Sequence, residues 1–207
     1  MKYRDLNGDG AVNNGTNQLG NMGDLTIIGN TTPRYQYTVN GSIGWKGLNL
    51  SILFQGVGKR DWNPGSGSAY FWGSGPYAQV TVFKEHLDYW REDNPNAYYP
   101  KPYIHTAGDV APYQNKIKQT CDRYVQNAAY CRLKNLTLSY DLPASLLEKT
   151  GLTKIQVFFS GENLLTFTKL KGMFDPEAIF TKNGYTSEGG KNYPMNRVVS
   201  CGLVVNF

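Results

Sequence analysis

Residues 35–46 read Tyr-Gln-Tyr-Thr-Val-Asn-Gly-Ser-Ile-Gly-Trp-Lys. Tyr35, Tyr37, Val39, Gly41, Ile43 and Trp45 stand at one parity, and Gln36, Thr38, Asn40, Ser42, Gly44 and Lys46 at the other. Only an extended chain, whose side chains alternate residue by residue, turns that order into one apolar and one polar face. Residues 48–57 repeat the pattern, with Leu48, Leu50, Ile52, Phe54 and Gly56 against Asn49, Ser51 and Gln55, so a tight turn at Lys46-Gly47-Leu48 makes a hairpin. Residues 131–142 set Leu136, Leu138, Tyr140 and Leu142 against Asn135, Thr137, Ser139 and Asp141. Residues 153–163 set Ile155, Val157 and Phe159 against Gln156, Phe158, Ser160 and Glu162. The segment 196–207 places Val199, Cys201, Leu203, Val205 and Phe207 away from Val198, Ser200, Gly202, Val204 and Asn206. An all-β chain of about five strands is expected.

Composition agrees: charged residues are 18%, aromatics 14%, and there are 23 glycines, a profile of strands and turns rather than long charged helices. The net charge of +5 comes from scattered cations that form no nucleic-acid stripe. Cys121, Cys131 and Cys201 are odd in number and lack zinc spacing, so no disulfide framework or metal cluster follows. Mean hydropathy is −0.47 and no run approaches the roughly 20 apolar residues of a membrane helix. That test is blind to transmembrane strands, which are apolar at every second position.

The connections alternate in length. Lys46 to Leu48 and Pro143 to Leu152 are short, whereas 58–130 and 164–195 are long and rich in aromatics, Gly, Pro and Asn. Outer-membrane barrels have short periplasmic turns and long extracellular loops, so 1–34, 58–130 and 164–195 are expected outside. Five strands cannot close a membrane barrel, and open edges in lipid would leave backbone groups unpaired. The expectation is therefore an antiparallel transmembrane β-barrel of which this chain is a C-terminal segment, any export signal lying upstream. Phe83, His86, Leu87 and Trp90 share a helical face, which predicts a short helix over Val82–Glu92 packed beneath its own loop.

Asp5-Leu6-Asn7-Gly8-Asp9-Gly10-Ala11 has oxygen donors at alternate positions and Gly at the sixth, the spacing that wraps a loop around Ca²⁺. Asp5, Asn7 and Asp9 would offer side-chain oxygens, Ala11 its carbonyl, and Asp24 would complete the shell, because the twelfth position holds Thr16. The competing reading is a metal-free loop of Asx turns. No P-loop, His-Glu-x-x-His, Gly-x-Ser-x-Gly or dinucleotide fingerprint is present, so no enzyme is expected. Asp175 with Glu177, or Glu85 with Asp88, could be imagined as acid pairs, but lone acids in polar loops are usually solvated or turn-forming. Trp62, Tyr70, Phe71, Trp72 and Tyr77 lie in a Gly/Ser/Pro loop. Exposed, they could stack on a sugar face. The alternative is that they pack the loop or meet another protein.

Tyr3-Arg4-Asp5-Leu6-Asn7-Gly8-Asp9-Gly10 and Thr26-Ile27-Ile28-Gly29-Asn30-Thr31-Thr32-Pro33-Arg34-Tyr35 resemble the late barrel region of SusC/RagA-type TonB-dependent transporters of Bacteroidetes. Phe54-Gln55-Gly56-Val57-Gly58-Lys59-Arg60-Asp61, Asn94-Pro95-Asn96-Ala97, Arg132 to Tyr140, Ser160 to Thr166 and Phe174-Asp175-Pro176-Glu177 are similar to that family's motifs in the same order. The resemblance implies a plugged outer-membrane barrel importing glycans, in some members peptides, beneath a SusD-like lipoprotein and powered by the TonB complex. The plug and TonB box are absent from this sequence. From the residues alone, a secreted Ca²⁺-dependent carbohydrate-binding β-sandwich is the second reading.

Overall fold

The computed structural model describes residues 3–65, 68–73, 82–102, 120–179 and 192–207. β1 (Arg34–Trp45) and β2 (Leu48–Lys59) form the expected hairpin. Lys46 and Gly47 both take left-handed φ, 48° and 86°, the turn whose twist matches two antiparallel strands. Gly47 is needed twice over, since a Cβ there would also meet the Asp141 carbonyl oxygen at 2.7 Å. A two-residue ribbon comes next, β3 (Asp61–Trp62) paired with β4 (Gln126–Asn127). Three long strands complete the set: β5 (Tyr130–Asp141), β6 (Lys154–Thr168) and β7 (Val198–Asn206).

The large sheet is antiparallel in the order β1-β2-β5-β6-β7. Its register aligns the apolar parity across all five strands. Trp45 faces Leu48, Leu48 faces Tyr140, Tyr140 faces Val157 and Val157 faces Leu203; the next row runs Ile43, Leu50, Leu138, Phe159, Cys201. Cross-strand pairs of this kind are the stabilising unit of a sheet, yet most of these side chains are exposed.

Alternation breaks at Arg132-Leu133-Lys134, and a bulge absorbs it. On β2 the partners pass from Leu53↔Asn135 to Phe54↔Leu133, leaving Lys134 as the extra residue, while β6 passes from Glu162 to Leu165 through Asn163 at φ 52°. An extra residue flips the parity of the strand beyond it. Leu133 therefore stays in the apolar row opposite Phe54 and Leu165.

Several expectations are corrected. β1 and β7 are both edges, each hydrogen-bonded on one side only, so the described strands make an open five-stranded sheet and a two-stranded ribbon, not a closed barrel. The chain is not all-β either: it carries α1 (Ala69–Trp72) and α2 (Ala144–Leu147), with 3-10 turns at Lys84–Leu87 and Asp122–Tyr124. The helix expected over Val82–Glu92 is only that one 3-10 turn, too short to use the Trp90 position. The strand ends move as well, most at β6, which runs five residues beyond the expected 163 to Thr168 because the bulge restores the pairing that alternation alone would end.

The chain divides into two compact units, residues 1–30 with 63–125, and residues 31–62 with 126–207. The first holds an aromatic core of Phe71, Trp72, Tyr99 and Tyr124. The second is the sheet, with Val57, Trp62, Tyr130, Leu133, Leu170, Phe174 and Ile179 buried near one end and Leu147, the buried residue of α2, at the other.

Candidate functional site

The sheet unit contains a buried charge cluster that the bulge assembles. Because Arg132 and Lys134 flank the residue whose parity is reset, both cations reach the same loop carboxylates. Arg132 Nη2 donates to Asp175 Oδ1 at 2.8 Å, its Nη1 lies 3.4 Å from Glu177 Oε2, and Lys134 Nζ reaches that oxygen at 2.7 Å. Arg132 Nε donates to Thr166 Oγ1. Arg60 adds a third cation, donating to the carbonyls of Pro176 and Ile179 at 3.4 and 3.0 Å. The side chains of Arg132 and Asp175 are only 3% and 8% exposed.

Such burial moves proton affinities. Burial pushes the Asp175 carboxyl up, but the backbone N–H groups of Glu177 and Met195 and the Arg132 guanidinium outweigh it, and the net shift is downward. Burial, reinforced by the Glu177 charge, pushes the Tyr130 hydroxyl up to about 12. Burial also lowers Arg60. Asp175 and Glu177 are thus not the solvated loop acids that their sequence context suggests. The readable signal was the pair of cations that interrupts the β5 alternation.

The aromatic residues singled out from sequence fall in different places. Trp62 is 1% exposed and packs edge-on to Phe174 at 4.8 Å within the sheet unit. In the loop unit Trp72 is buried against Phe71 and Tyr124, with its indole N–H on the Gly65 carbonyl. Tyr70 is half-buried near Phe83, and Tyr77 lies outside the described residues. A ring buried on its edges and faces cannot stack on a ligand, so Trp62 and Trp72 present no sugar platform in this conformation.

Asp5, Asn7, Asp9 and Asp24 do gather in one loop, and they gather on backbone N–H groups. Asp5 accepts from Gly8 and Gly10, Asp9 from Ala11, and Asp24 from Leu6, Asn7 and Asn13. The Ala11 carbonyl accepts from the Asn13 amide. The Asn13 N–H, followed by that of Leu6, holds Asp24 below the usual carboxylate range, and the Ala11 N–H with the Asn7 side chain does the same for Asp9. This is Asx-turn geometry. Among the described residues no three acidic, His or Cys side chains form a group that could hold a metal. The reading as a calcium-dependent carbohydrate module is corrected on that ground.

No family model matches the chain. It is 30% identical over 218 residues to TonB-dependent receptor P3 of Formosa agariphila, covering 99% of this chain and 19% of that protein. Against TonB-dependent receptor P26 of the same organism the identity is 27% over 212 residues, with 100% and 19% covered. The chain thus spans about a fifth of the length of these relatives. Among solved structures it is similar to the RagAB peptide transporter, with a TM-score of 0.59 and 29% identity over 87% of this chain and 18% of that one. The RagAB peptide importer in its open-open state gives 0.58 and 28%. What these matches support is a distant homology to TonB-dependent receptors, in place of the narrower assignment as a C-terminal barrel fragment, which the open sheet overturns. The matches link the chain to TonB-dependent transport systems, a non-catalytic family, and its named relatives are outer-membrane receptors of a Bacteroidetes organism.

Proposed function

We propose that this chain is one segment of a TonB-dependent transport protein that takes up peptides, working with a SusD-like surface lipoprotein and driven by the TonB complex through another part of the protein. The observation that carries the reading is the 29% identity to the RagAB peptide transporter over 87% of the chain at a TM-score of 0.59. The test is uptake of labelled oligopeptides and labelled oligosaccharides by cells with and without the gene. Loss of peptide uptake alone, restored by the wild-type gene, is expected. Loss of oligosaccharide uptake with peptide uptake intact would overturn the ligand class, and co-purification without any surface lipoprotein would overturn the partner.

A further inference from the structure

His86 is the one buried imidazole among the described residues, and both its ring nitrogens are engaged by groups that cannot exchange roles. The Phe83 backbone N–H meets Nδ1 at 2.9 Å, and the Phe71 carbonyl meets Nε2 at 3.0 Å. An amide N–H only donates and a carbonyl only accepts, so Nδ1 is bare and Nε2 carries the proton. The ring is thereby specified as neutral. It also stitches the loop together: the His86 N–H returns to the Phe83 carbonyl at 3.1 Å, and the ring packs against Phe83 and Tyr99. Gly73, at φ 63°, makes room, since a Cβ there would press on the imidazole at 2.5 Å.

We propose that His86 is an acid-sensitive latch: protonation of its ring opens the aromatic core formed by α1, the Lys84–Leu87 turn and the 97–99 segment. A proton on Nδ1 would point at the Phe83 N–H, replacing a hydrogen bond by two opposed donors, and would place a cation in an apolar site. Among the described residues, the titratable and charged groups on the elements packed around it are Tyr70, Lys84, Glu85, Asp88, Tyr98, Tyr99, Asp122, Arg123 and Tyr124. Glu85 and Asp88 would favour a cation, but both are exposed and screened by water and salt. The Tyr99 hydroxyl is raised chiefly by burial and stays protonated throughout. A ring that must be neutral to fit contributes stability above the ordinary imidazole range, and that stability is lost as the pH falls below it.

Hydrogen exchange of the full-length protein tests this between pH 7.5 and 5, with rates corrected for intrinsic chemistry. Exchange at residues 68–73 and 82–99 should accelerate about tenfold per pH unit below about 6.5, while the sheet strands stay protected. His86→Gln keeps an acceptor and a donor with no proton to gain, so its exchange should not respond to pH. Wild-type protection that is equal at both pH values, or lost alike in wild type and variant, overturns the proposal. Should His86→Gln fail to fold, NMR titration of the wild-type imidazole decides: a ring that protonates near pH 6.5 or above with the core intact also overturns it.

Discussion

Arg132 illustrates how much one residue can hold. It ties β5 to β6 through Thr166 and ties the 171–179 loop to the sheet through Asp175 and Glu177, all with a side chain that is nearly inaccessible. Removing one partner of a buried pair strands the other charge, so Arg132→Ala should cost about 3–5 kcal/mol in urea unfolding of the purified protein. Replacing Asp175 probes the same contact by pH. Its folded carboxyl titrates below the ordinary value, so its contribution is complete above about pH 4 and disappears as the pH falls through the folded value. Asp175→Asn should lower stability at neutral pH and flatten the acid limb of the stability curve; a curve parallel to wild type would contradict the assignment. In the Asp5–Asp24 loop, Asp24 accepts from three backbone N–H groups, so Asp24→Ala should speed amide exchange at Leu6, Asn7 and Asn13 specifically.

The elements depend on a few positions where regular strand geometry gives way. Asn163 sits at φ 52° inside β6, donates to the Asn196 carbonyl and accepts from Lys134, so it joins the bulge to both neighbours. Asn163→Ala places a Cβ-bearing residue with no side-chain bonds in the left-handed region and should cost about 1–2 kcal/mol. Asn163→Gly should recover the backbone part of that loss, measured by thermal unfolding. Gly56 and Gly202 serve a different purpose, since aromatic rings on neighbouring strands, Tyr37 and Phe158, lie across them. Gly202→Val would drive into the Phe158 ring and should destabilise the β6–β7 pair by about 1–3 kcal/mol. In the sheet these glycines are seats for rings.

At the scale of the whole molecule, the sheet leaves Trp45, Ile43, Val157, Phe159 and Leu203 exposed on one face and has two unpaired edges. Contiguous apolar surface and open edges both promote association in water. The 207-residue chain produced alone should therefore aggregate in aqueous buffer and become dispersed with detergent, as size-exclusion chromatography would show. A monodisperse, detergent-free monomer would mean that this face is covered by something within the chain.

What the sequence by itself determined is local. Period-two alternation depends only on neighbouring side chains, so it located the five long strands, and the Lys46-Gly47 pair specified the hairpin turn. The absence of catalytic motifs was legible for the same reason. The tertiary structure alone decided what depends on distant partners. Asp175 and Glu177 lie 43 residues from the cations that bury them, and their loop context disguises it. The β5 bulge shifts parity through pairing with β2 and β6, which no single strand encodes. Whether Trp62 and Trp72 offer a face to a ligand or pack their own surroundings was left open by the loop's composition, because burial is a property of whatever folds over a residue. The open sheet in place of a barrel has the same origin, since closure is decided by whether the edges find each other and not by any strand's own pattern.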